Sequence, residues 1–475
     1  MKRIAILGGG ISGLTAAYEL ELARRAGADL DWRLYEATDR LGGIVETTRL
    51  STPEGEYILE GGPDGWVSEK PWARDLAIEL GLEADLIPSN DATRKTYILQ
   101  SGELQAIPDG LRMMVPTDLG ALEASPLFSA AAKAAYAAEP ARAAELKASA
   151  PVHDESVATF VRRHFGDEVL TTLAAPLLSG VFGGDVARLS VRSVMPAFVA
   201  MEREHGSLIL ALQAKARDRA GKPPQPIFTS LRNGMGSLID ALVATLPAER
   251  LRLNERVTDI GAENRWYVVA DKNNRLLAGR VDHILLATPL DATSNLLRLA
   301  GDHSLRQCLP TEASSAILAT FTWPRELAST FTIPPGFGFL IPPGNDNAQL
   351  LAATFVDGKF PHRAPTGARI LRAFFGGASA DALTTASDEA VATAALTQLR
   401  TILGPIPNPT HSVIRRWPRS LPQYEVGHLD RLAQLESFVA TVPGLHLLGN
   451  SYQGVGLPDL IHAARTTAKS LIPNP

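Results

Sequence analysis

The chain has 475 residues, room for two or three domains, with 45% hydrophobic and 20% charged residues, the balance of a soluble globular protein. A net charge of -5, with no basic cluster interleaved with aromatics, gives no reason to expect nucleic acid as a partner. The single cysteine, Cys308, excludes an intrachain disulfide, C-x-x-C chemistry and a cysteine-rich metal site, and fits a reducing compartment.

Lys2 to Leu7 reads as a buried strand that begins directly after Met1, which leaves no room for a leader. No run of about 18 uncharged apolar residues occurs, so no bilayer span is expected. The expected location is the cytoplasm, with a peripheral contact at the inner face of the membrane left open. Gly8, Gly9, Gly10, Ile11, Ser12 and Gly13 then form a G-x-G-x-x-G turn, and Ser12 to Ala26 reads as a helix. Strand, glycine turn and helix are the context in which that fingerprint holds a dinucleotide. The first glycine permits the tight turn, the second lets backbone approach a pyrophosphate, and the third lets helix pack on strand. The helix N-terminus faces the phosphates with free N–H groups. A second strand, Asp31 to Tyr35, ends at Glu36 and Ala37, where an acid binds a ribose and favours FAD or NAD over NADP. Arg40, Gly42 and Gly43 follow, a glycine pair more typical of flavoproteins.

Ile44 to Arg49 and Glu56 to Glu60 read as a hairpin leading into Gly61, Gly62, Pro63 and Asp64, a tight loop suited to lie against a flat ring. Pro71 to Leu80 reads as a helix. Lys95 to Leu99 and Glu103 to Ile107 read as a hairpin turned by Ser101 and Gly102. From Leu111 to about Arg219 the texture is alanine-rich and helical. Asp154 is expected to cap one of its helices, and Ala130 to Ala148, with a poor apolar stripe, is expected to lie exposed. Leu111 to Pro116 carries two methionines and reads as core or as a membrane-surface or substrate-entry wall. Past a Pro-rich link, Gly221 to Pro226, Ser237 is expected to cap a helix. Leu251 to Ile260, Trp266 to Ala270 and Val281 to Ala287 read as strands, with a turn at Lys272-Asn273-Asn274. Ser315 to Phe375 contributes several more, with a helix at Asp388 to Leu403, which suggests an antiparallel sheet covered on one face. At the C-terminus a strand, Leu445 to Leu448, leads into a glycine loop with Gly449, Asn450, Val455, Gly456 and Leu457, and then a helix from Asp459 to Leu471. A cofactor held from both chain ends suits FAD.

No acid–base or metal-ligand constellation stands out. His428 and His462 read as locally bonded histidines, and Cys308 as a buried small apolar residue. A flavin oxidase needs none of these, because the cofactor carries the chemistry.

Taken together, the N-terminal glycines, Glu36, the Arg40 to Gly43 run and the C-terminal loop resemble the FAD-dependent amine-oxidase superfamily. The segments Leu178 to Asp185, Leu189 to Ser193, Gly336 to Pro342, Trp417 to Tyr424 and Gly449 to Gly456 narrow the resemblance to the oxygen-dependent protoporphyrinogen oxidase family, which includes relatives that oxidise coproporphyrinogen III. The resemblance spans nearly the whole chain. It implies an α/β (α+β overall) fold in three parts. These are a Rossmann-like FAD-binding domain (1-90, 227-295 and 428-475), an antiparallel-sheet substrate domain (91-110 and 296-427) and an inserted helical, membrane-associating domain (111-226). It implies oxidation of protoporphyrinogen IX, or alternatively coproporphyrinogen III, with O2 as acceptor and H2O2 as product. Gly180 would lie beside the macrocycle, Phe337, Leu340, Thr354 and Phe374 would line its cavity, and Val257 and Trp417 would contact FAD. Several members carry Arg or Asn where this chain has Asp64, so a substrate propionate must find another cation. Lys70 is the preferred anchor, with Arg94 and Lys95 as alternatives. No metal is expected. Monomer and homodimer both remain open, as does product hand-over to a ferrochelatase. More distant readings are a flavin amine oxidase, a carotenoid desaturase and a porphyrin-binding flavoprotein without turnover.

Overall fold

The computed structural model describes residues 1–218, 225–263, 265–270, 276–299, 307–344 and 349–472. The turn expected at Lys272-Asn273-Asn274, and most of the Pro-rich link, lie outside these residues.

Five parallel strands run in the order Leu251–Arg252, Leu30–Tyr35, Lys2–Leu7, His283–Leu286, Leu445–Leu447. Alternation sends successive side chains to opposite faces. Ile4, Ile6, Trp32, Leu34 and Leu285 pack on one face with helices Ile11–Arg25 and Leu457–Leu471. Ala5, Leu7, Tyr35, Ile284 and Leu286 pack on the other with Leu432 and Leu435 of helix His428–Ala440. A parallel sheet buried on both faces is therefore built from near-continuous apolar runs. Helices Ile11–Arg25 and Leu457–Leu471 lie side by side, where Arg465 forms an ion pair with Glu19 at 2.8 Å. The stretch expected as one strand from 251 to 260 is two, Leu251–Arg252 and Val257–Glu263, separated by Asn254 at a φ of 57°. Likewise the strand expected over 281–287 is His283–Leu286, preceded by a separate strand, Leu276–Val281.

A second sheet has seven strands in the order His411–Pro422, Ala313–Trp323, Arg369–Gly376, Leu350–Phe355, Gly338–Leu340, Thr96–Gln100, Glu103–Ala106. It is antiparallel except where Gly338 runs parallel to Thr96, the junction at which the early hairpin joins the later strands. One face carries Ile317, Phe321, Phe339, Phe355, Leu371 and Phe375, covered by Val391, Ala395 and Leu399 of helix Asp388–Leu403. That helix is capped by Ser387, whose hydroxyl accepts the Ala390 N–H at 3.2 Å.

Between Gly120 and Asp218 the chain is helical around a separate core that includes Met114, Tyr136, Phe160, Phe165, Leu173 and Met201. Three expectations fail here or nearby. Residues 130–148 do not form an exposed helix but two shorter ones, Ala130–Ala138 and Ala143–Ala148, broken where Pro140 cannot continue the ladder. Small alanines let the first approach the core, so Tyr136 is 0% exposed and donates its hydroxyl to the Met114 carbonyl at 2.9 Å. The helix Val157–Phe165 is capped by Ser156, whose hydroxyl accepts the Thr159 N–H at 3.1 Å, while Asp154 instead accepts the Gly427 N–H at 2.9 Å. Helix Gly236–Thr245 is not capped by Ser237. The Glu60 carboxylate accepts the Met235 N–H and the Thr47 hydroxyl accepts the Gly236 N–H, each at 2.8 Å. Leu111 to Pro116 is a small hairpin turned at Met113 (φ 54°), and with Met114 and Val115 at 0% exposure the core reading applies to both. No helix among the described residues is long and apolar enough to cross a membrane.

Candidate cofactor and substrate cleft

The parallel strands deliver their loops to one edge of the sheet, the edge where open α/β sheets bind ligands. After Lys2–Leu7, Gly8 takes a φ of 106° that only glycine holds easily, and a Cβ at Gly8 would collide with the Ala287 carbonyl. A Cβ at Gly13 would collide with the Gly8 carbonyl, so Gly13 is what lets the helix approach the strand. Gly10 differs. A Cβ there would meet nothing closer than the Gly43 Cα at 4.0 Å, so its side of the turn is open. The helix Ile11–Arg25 has no side-chain cap, and Ile11 and Ser12 are buried at its start. An open glycine beside uncapped helical N–H groups is a cradle for a pyrophosphate.

Glu36, half-buried at the end of Leu30–Tyr35, accepts the Gly9 N–H at 2.8 Å and the Thr38 N–H at 2.9 Å, with half-buried Ala37 between them. These bonds orient the carboxylate and leave it lone pairs for ribose hydroxyls. Val257 lies two residues beyond Glu255, whose N–H bonds the Glu36 carbonyl at 2.9 Å. Gly42 donates to the Gly9 carbonyl at 2.8 Å, and the Arg40 guanidinium donates to the Leu41 carbonyl at 3.1 Å and the Gly43 carbonyl at 2.5 Å. Beyond them Gly61 donates to the Glu46 carbonyl at 2.7 Å, and Gly62 passes so close to the Ile44 carbonyl that no side chain fits. Trp417 donates its indole N–H to the Gly61 carbonyl at 2.7 Å. Glu36 is thus bonded to Gly9 and Gly9 to Gly42, while Gly62 lies against the Ile44 carbonyl and Gly61 is bonded to Trp417.

From the other chain end, Gly449 (φ 124°) opens the C-terminal loop. Asn450 donates to the Ser420 carbonyl at 2.8 Å and accepts the Tyr424 hydroxyl at 2.7 Å on its own carbonyl. Tyr424 stacks on His428 with 4.1 Å between ring centroids and 11° between planes, and His428 bonds the Tyr452 carbonyl at 2.8 Å. Burial lowers the His428 pKa, which fits a locally bonded histidine. His462 likewise stacks on Trp72 at 4.0 Å. Val455 and Gly456 lead into Leu457–Leu471, a second helix with no side-chain cap.

The face of the seven-stranded sheet opposite helix Asp388–Leu403 meets the Gly61–Gly62 loop, through Arg372 and Arg415. Pairing puts Leu340, Ala352, Phe374, Leu318 and Arg415 in one row, and Gly338, Thr354, Arg372 and Thr320 in the next. Gly180 lies exposed on helix Ala175–Phe182, where a Cβ would touch Leu340 at 3.4 Å. The structure therefore brings together Gly180, Leu340, Thr354 and Phe374. Phe337 stands outside those rows: it is 8% exposed, and its carbonyl accepts the Phe355 N–H at 2.8 Å, in register with the opposite core.

Asp64 is turned inward, with both oxygens 3.0 Å from the Lys359 ammonium. Burial opposes its ionisation, but Lys359, Arg372 and Arg363 prevail and hold the carboxyl at about 2. Pro63 is half-buried beside it. Lys70 is not left free for substrate: its ammonium bonds both Asp459 oxygens, at 2.6 and 2.7 Å, in the first turn of the C-terminal helix. Arg94 and Lys95 are exposed. Sequence reasoning missed Lys359, Arg363, Arg372 and Arg415. Only Arg415 had a nearby signal, its position beside the Trp417 motif. Among the described residues no group of three or more metal-ligating side chains occurs.

Residues 11–472 match the family described as flavin containing amine oxidoreductase. The coproporphyrinogen III oxidase of Bacillus subtilis is 31% identical over 99% of this chain and 98% of its own. Protoporphyrinogen oxidase 1, chloroplastic, of Arabidopsis thaliana is 28% identical over 98% of this chain and 86% of its own. Among solved structures, a candidate protoporphyrinogen oxidase from Exiguobacterium sp. 255-15 superposes with a TM-score of 0.82 at 32% identity, covering 99% of this chain and 98% of that one. With its glycine turns and its two large sheets in place, the chain belongs to the flavin containing amine oxidoreductases, in the branch of the coproporphyrinogen III and protoporphyrinogen oxidases.

Proposed function

We propose that the protein binds FAD and oxidises a porphyrinogen to a porphyrin with O2 as acceptor. The observation that carries this is the pair of adjacent rows holding Leu340 with Phe374 and Thr354 with Arg372, approached by Gly180 and set against the glycine loops of the cofactor cleft. Glu36 would take the adenosine ribose. The open side of Gly10, with the uncapped helix ends at Ile11 and Leu457, would take the pyrophosphate, and Gly42, Gly43, Gly61, Gly62 and Trp417 would border the ring. Bound FAD supplies a two-electron acceptor that O2 regenerates with release of H2O2. The protein's part is to hold the macrocycle flat against that ring and keep water from it. Phe374 and Leu340 present apolar surface, and Gly180 offers a side without bulk where the macrocycle must come close. No side-chain base is needed on this face, and its two cations, Arg372 and Arg415, are already bonded to Gly62 and Glu46.

The division into an FAD-binding, a substrate-binding and a helical domain belongs to the same proposal. It is supported by all five parallel strands coming from 1-90, 227-295 and 428-475, and all seven strands of the second sheet from 91-110 and 296-427. So do a cytoplasmic location, a monomer or homodimer, and delivery of the product to a ferrochelatase. A peripheral membrane contact, if made, would not use Met114 or Val115, which are buried.

Protoporphyrinogen is the substrate named in the plant relatives, which favours protoporphyrinogen IX here. Coproporphyrinogen III is favoured by a separate observation: the Bacillus subtilis, Staphylococcus aureus and Propionibacterium freudenreichii relatives that carry that name are 28–31% identical over 99% of this chain. Steady-state rates on both porphyrinogens in air decide between them. Faster porphyrin formation from one assigns it, and no porphyrin from either contradicts the proposal.

A further inference from the structure

Beneath the Gly61 to Asp64 loop, five charged side chains are buried together. Glu60 pairs with Arg363 at 3.0 Å, and Asp64 pairs with Lys359 at 3.0 Å. The fifth is Arg372, on the sheet face two residues from Phe374. It is 5% exposed, its guanidinium lies 4.7 Å from the Phe374 ring centroid, and it donates to the Gly62 carbonyl at 2.9 Å. Its other nitrogens, Nε and Nη1, have no partner among the described residues. Arg372 acts electrostatically on both Glu60 and Asp64, so the five form one coupled set. With two carboxylates and three cations, the set holds one positive charge with no acid to match it. Burying such a charge unmatched is costly, and its field reaches far in a low-dielectric interior. A second group, Glu46 with Arg40 and Arg415, lies nearby, but its members are 20–40% exposed and better screened.

The unmatched charge sits behind two surfaces of the cleft, the Gly62 backbone and the Phe374 ring. Resting on the FAD reading above, we propose that Arg372 is a positioning residue. It fixes Gly62 and keeps an unneutralised positive charge against the cleft, which favours the reduced, more negatively charged form of the flavin. Hydride transfer moves two electrons and one proton from a substrate carbon to a neutral ring. The ring gains one negative charge, and the substrate gains one positive charge until it releases a proton to water. A fixed cation stabilises the first of these charges at no cost in reorganisation. The Asp64 carboxylate is itself consumed within the set, bonded to Lys359.

The test is the midpoint potential of FAD bound to the wild type and to single variants, read by equilibration with a redox dye, with flavin content measured beside it. Arg372→Met is expected to retain FAD and to shift the reduced-to-oxidised ratio at least tenfold toward oxidised at a fixed poise, about 30 mV for a two-electron couple. Arg372→Lys, which keeps the charge, should restore most of that shift. Asp64→Asn removes a carboxylate that is ionised at neutral pH and should move the potential the other way. Should the Met variant fail to fold, Asp64→Asn decides alone. Structural damage would not give opposite signs for the two variants. Bound flavin with unshifted potentials, or with both shifts downward, overturns the inference and leaves the FAD reading intact. A wild-type protein that takes up no flavin overturns both.

Discussion

At Gly10 a Cβ would meet nothing closer than the Gly43 Cα at 4.0 Å, whereas at Gly13 it would strike the Gly8 carbonyl. The fold therefore requires a glycine at Gly13 and leaves the Gly10 side of the turn open, where the proposed FAD would sit. Gly10→Val is expected to leave the melting temperature of the FAD-free protein unchanged and to abolish FAD uptake. Gly13→Ala is expected to destabilise the FAD-free protein by about 1–3 kcal/mol through overpacking. Melting curves and flavin absorbance on both variants check this, and a Gly10→Val protein with full flavin would show that the turn does not meet a phosphate. Lys70 is a second case at this scale. Its pair with Asp459 joins side chains 48% and 19% exposed, the kind of contact worth about 0–1 kcal/mol. Lys70→Ala should change KM for the two porphyrinogens by the same small factor, and a selective rise for coproporphyrinogen III would return Lys70 to the substrate. The place of Glu36 beside the glycine turn was legible in the sequence because the fingerprint puts an acid at the end of the second strand, and there it accepts the Gly9 N–H. Lys359 was not, because it meets Asp64 from 295 residues away with no local pattern to announce it.

Strands and helices with strong periodicity were readable, as Asp388–Leu403 and Lys2–Leu7 show. Where the reading failed, a tertiary contact had replaced a local signal. Glu60 and Thr47 cap the helix at Gly236, from a hairpin nearly two hundred residues earlier (175 and 189). Ser156 displaces Asp154 as a cap because Asp154 is engaged by Gly427. In 130–148 an alanine-rich stripe looked exposed because few of its side chains are large, yet one of them, Tyr136, is buried and bonded to the Met114 carbonyl. Tyr136→Phe keeps the packing and leaves that carbonyl unpaired. It should cost about 1 kcal/mol, seen as a lower melting temperature. An unchanged melting temperature would mean that the bond contributes nothing.

For the molecule as a whole, acid is the expected weakness. Burial, then the adjacent His283, lowers the His446 pKa from 6.5 to about 4, and the two rings are 3.2 Å apart, nitrogen to nitrogen, on neighbouring parallel strands. The folded state thus binds fewer protons here than the unfolded state. The resulting stability is complete above pH 6.5 and is lost as pH falls toward 4. Asp64 adds a loss of the same sign between 3.8 and about 2. His446→Leu should remove about 2 kcal/mol of the loss between pH 6.5 and 4, and denaturant melts at both pH values measure it. The two-sheet architecture was legible at this scale, because apolar runs mark a parallel sheet and alternation marks a half-covered one. The grouping of Gly180 with Leu340, Thr354 and Phe374 came from the family resemblance and not from periodicity, since only the register places these residues of separate segments side by side.

The central claim is that this cleft moves electrons from a porphyrinogen through a bound flavin to O2. Mixing the purified, FAD-loaded protein with coproporphyrinogen III or protoporphyrinogen IX, first without O2 and then with it, tests that claim most directly. The account predicts bleaching of the flavin absorbance before air is admitted. It then predicts recovery of that absorbance with fluorescent porphyrin and H2O2 appearing in step. A flavin that stays oxidised in the presence of both porphyrinogens would contradict it.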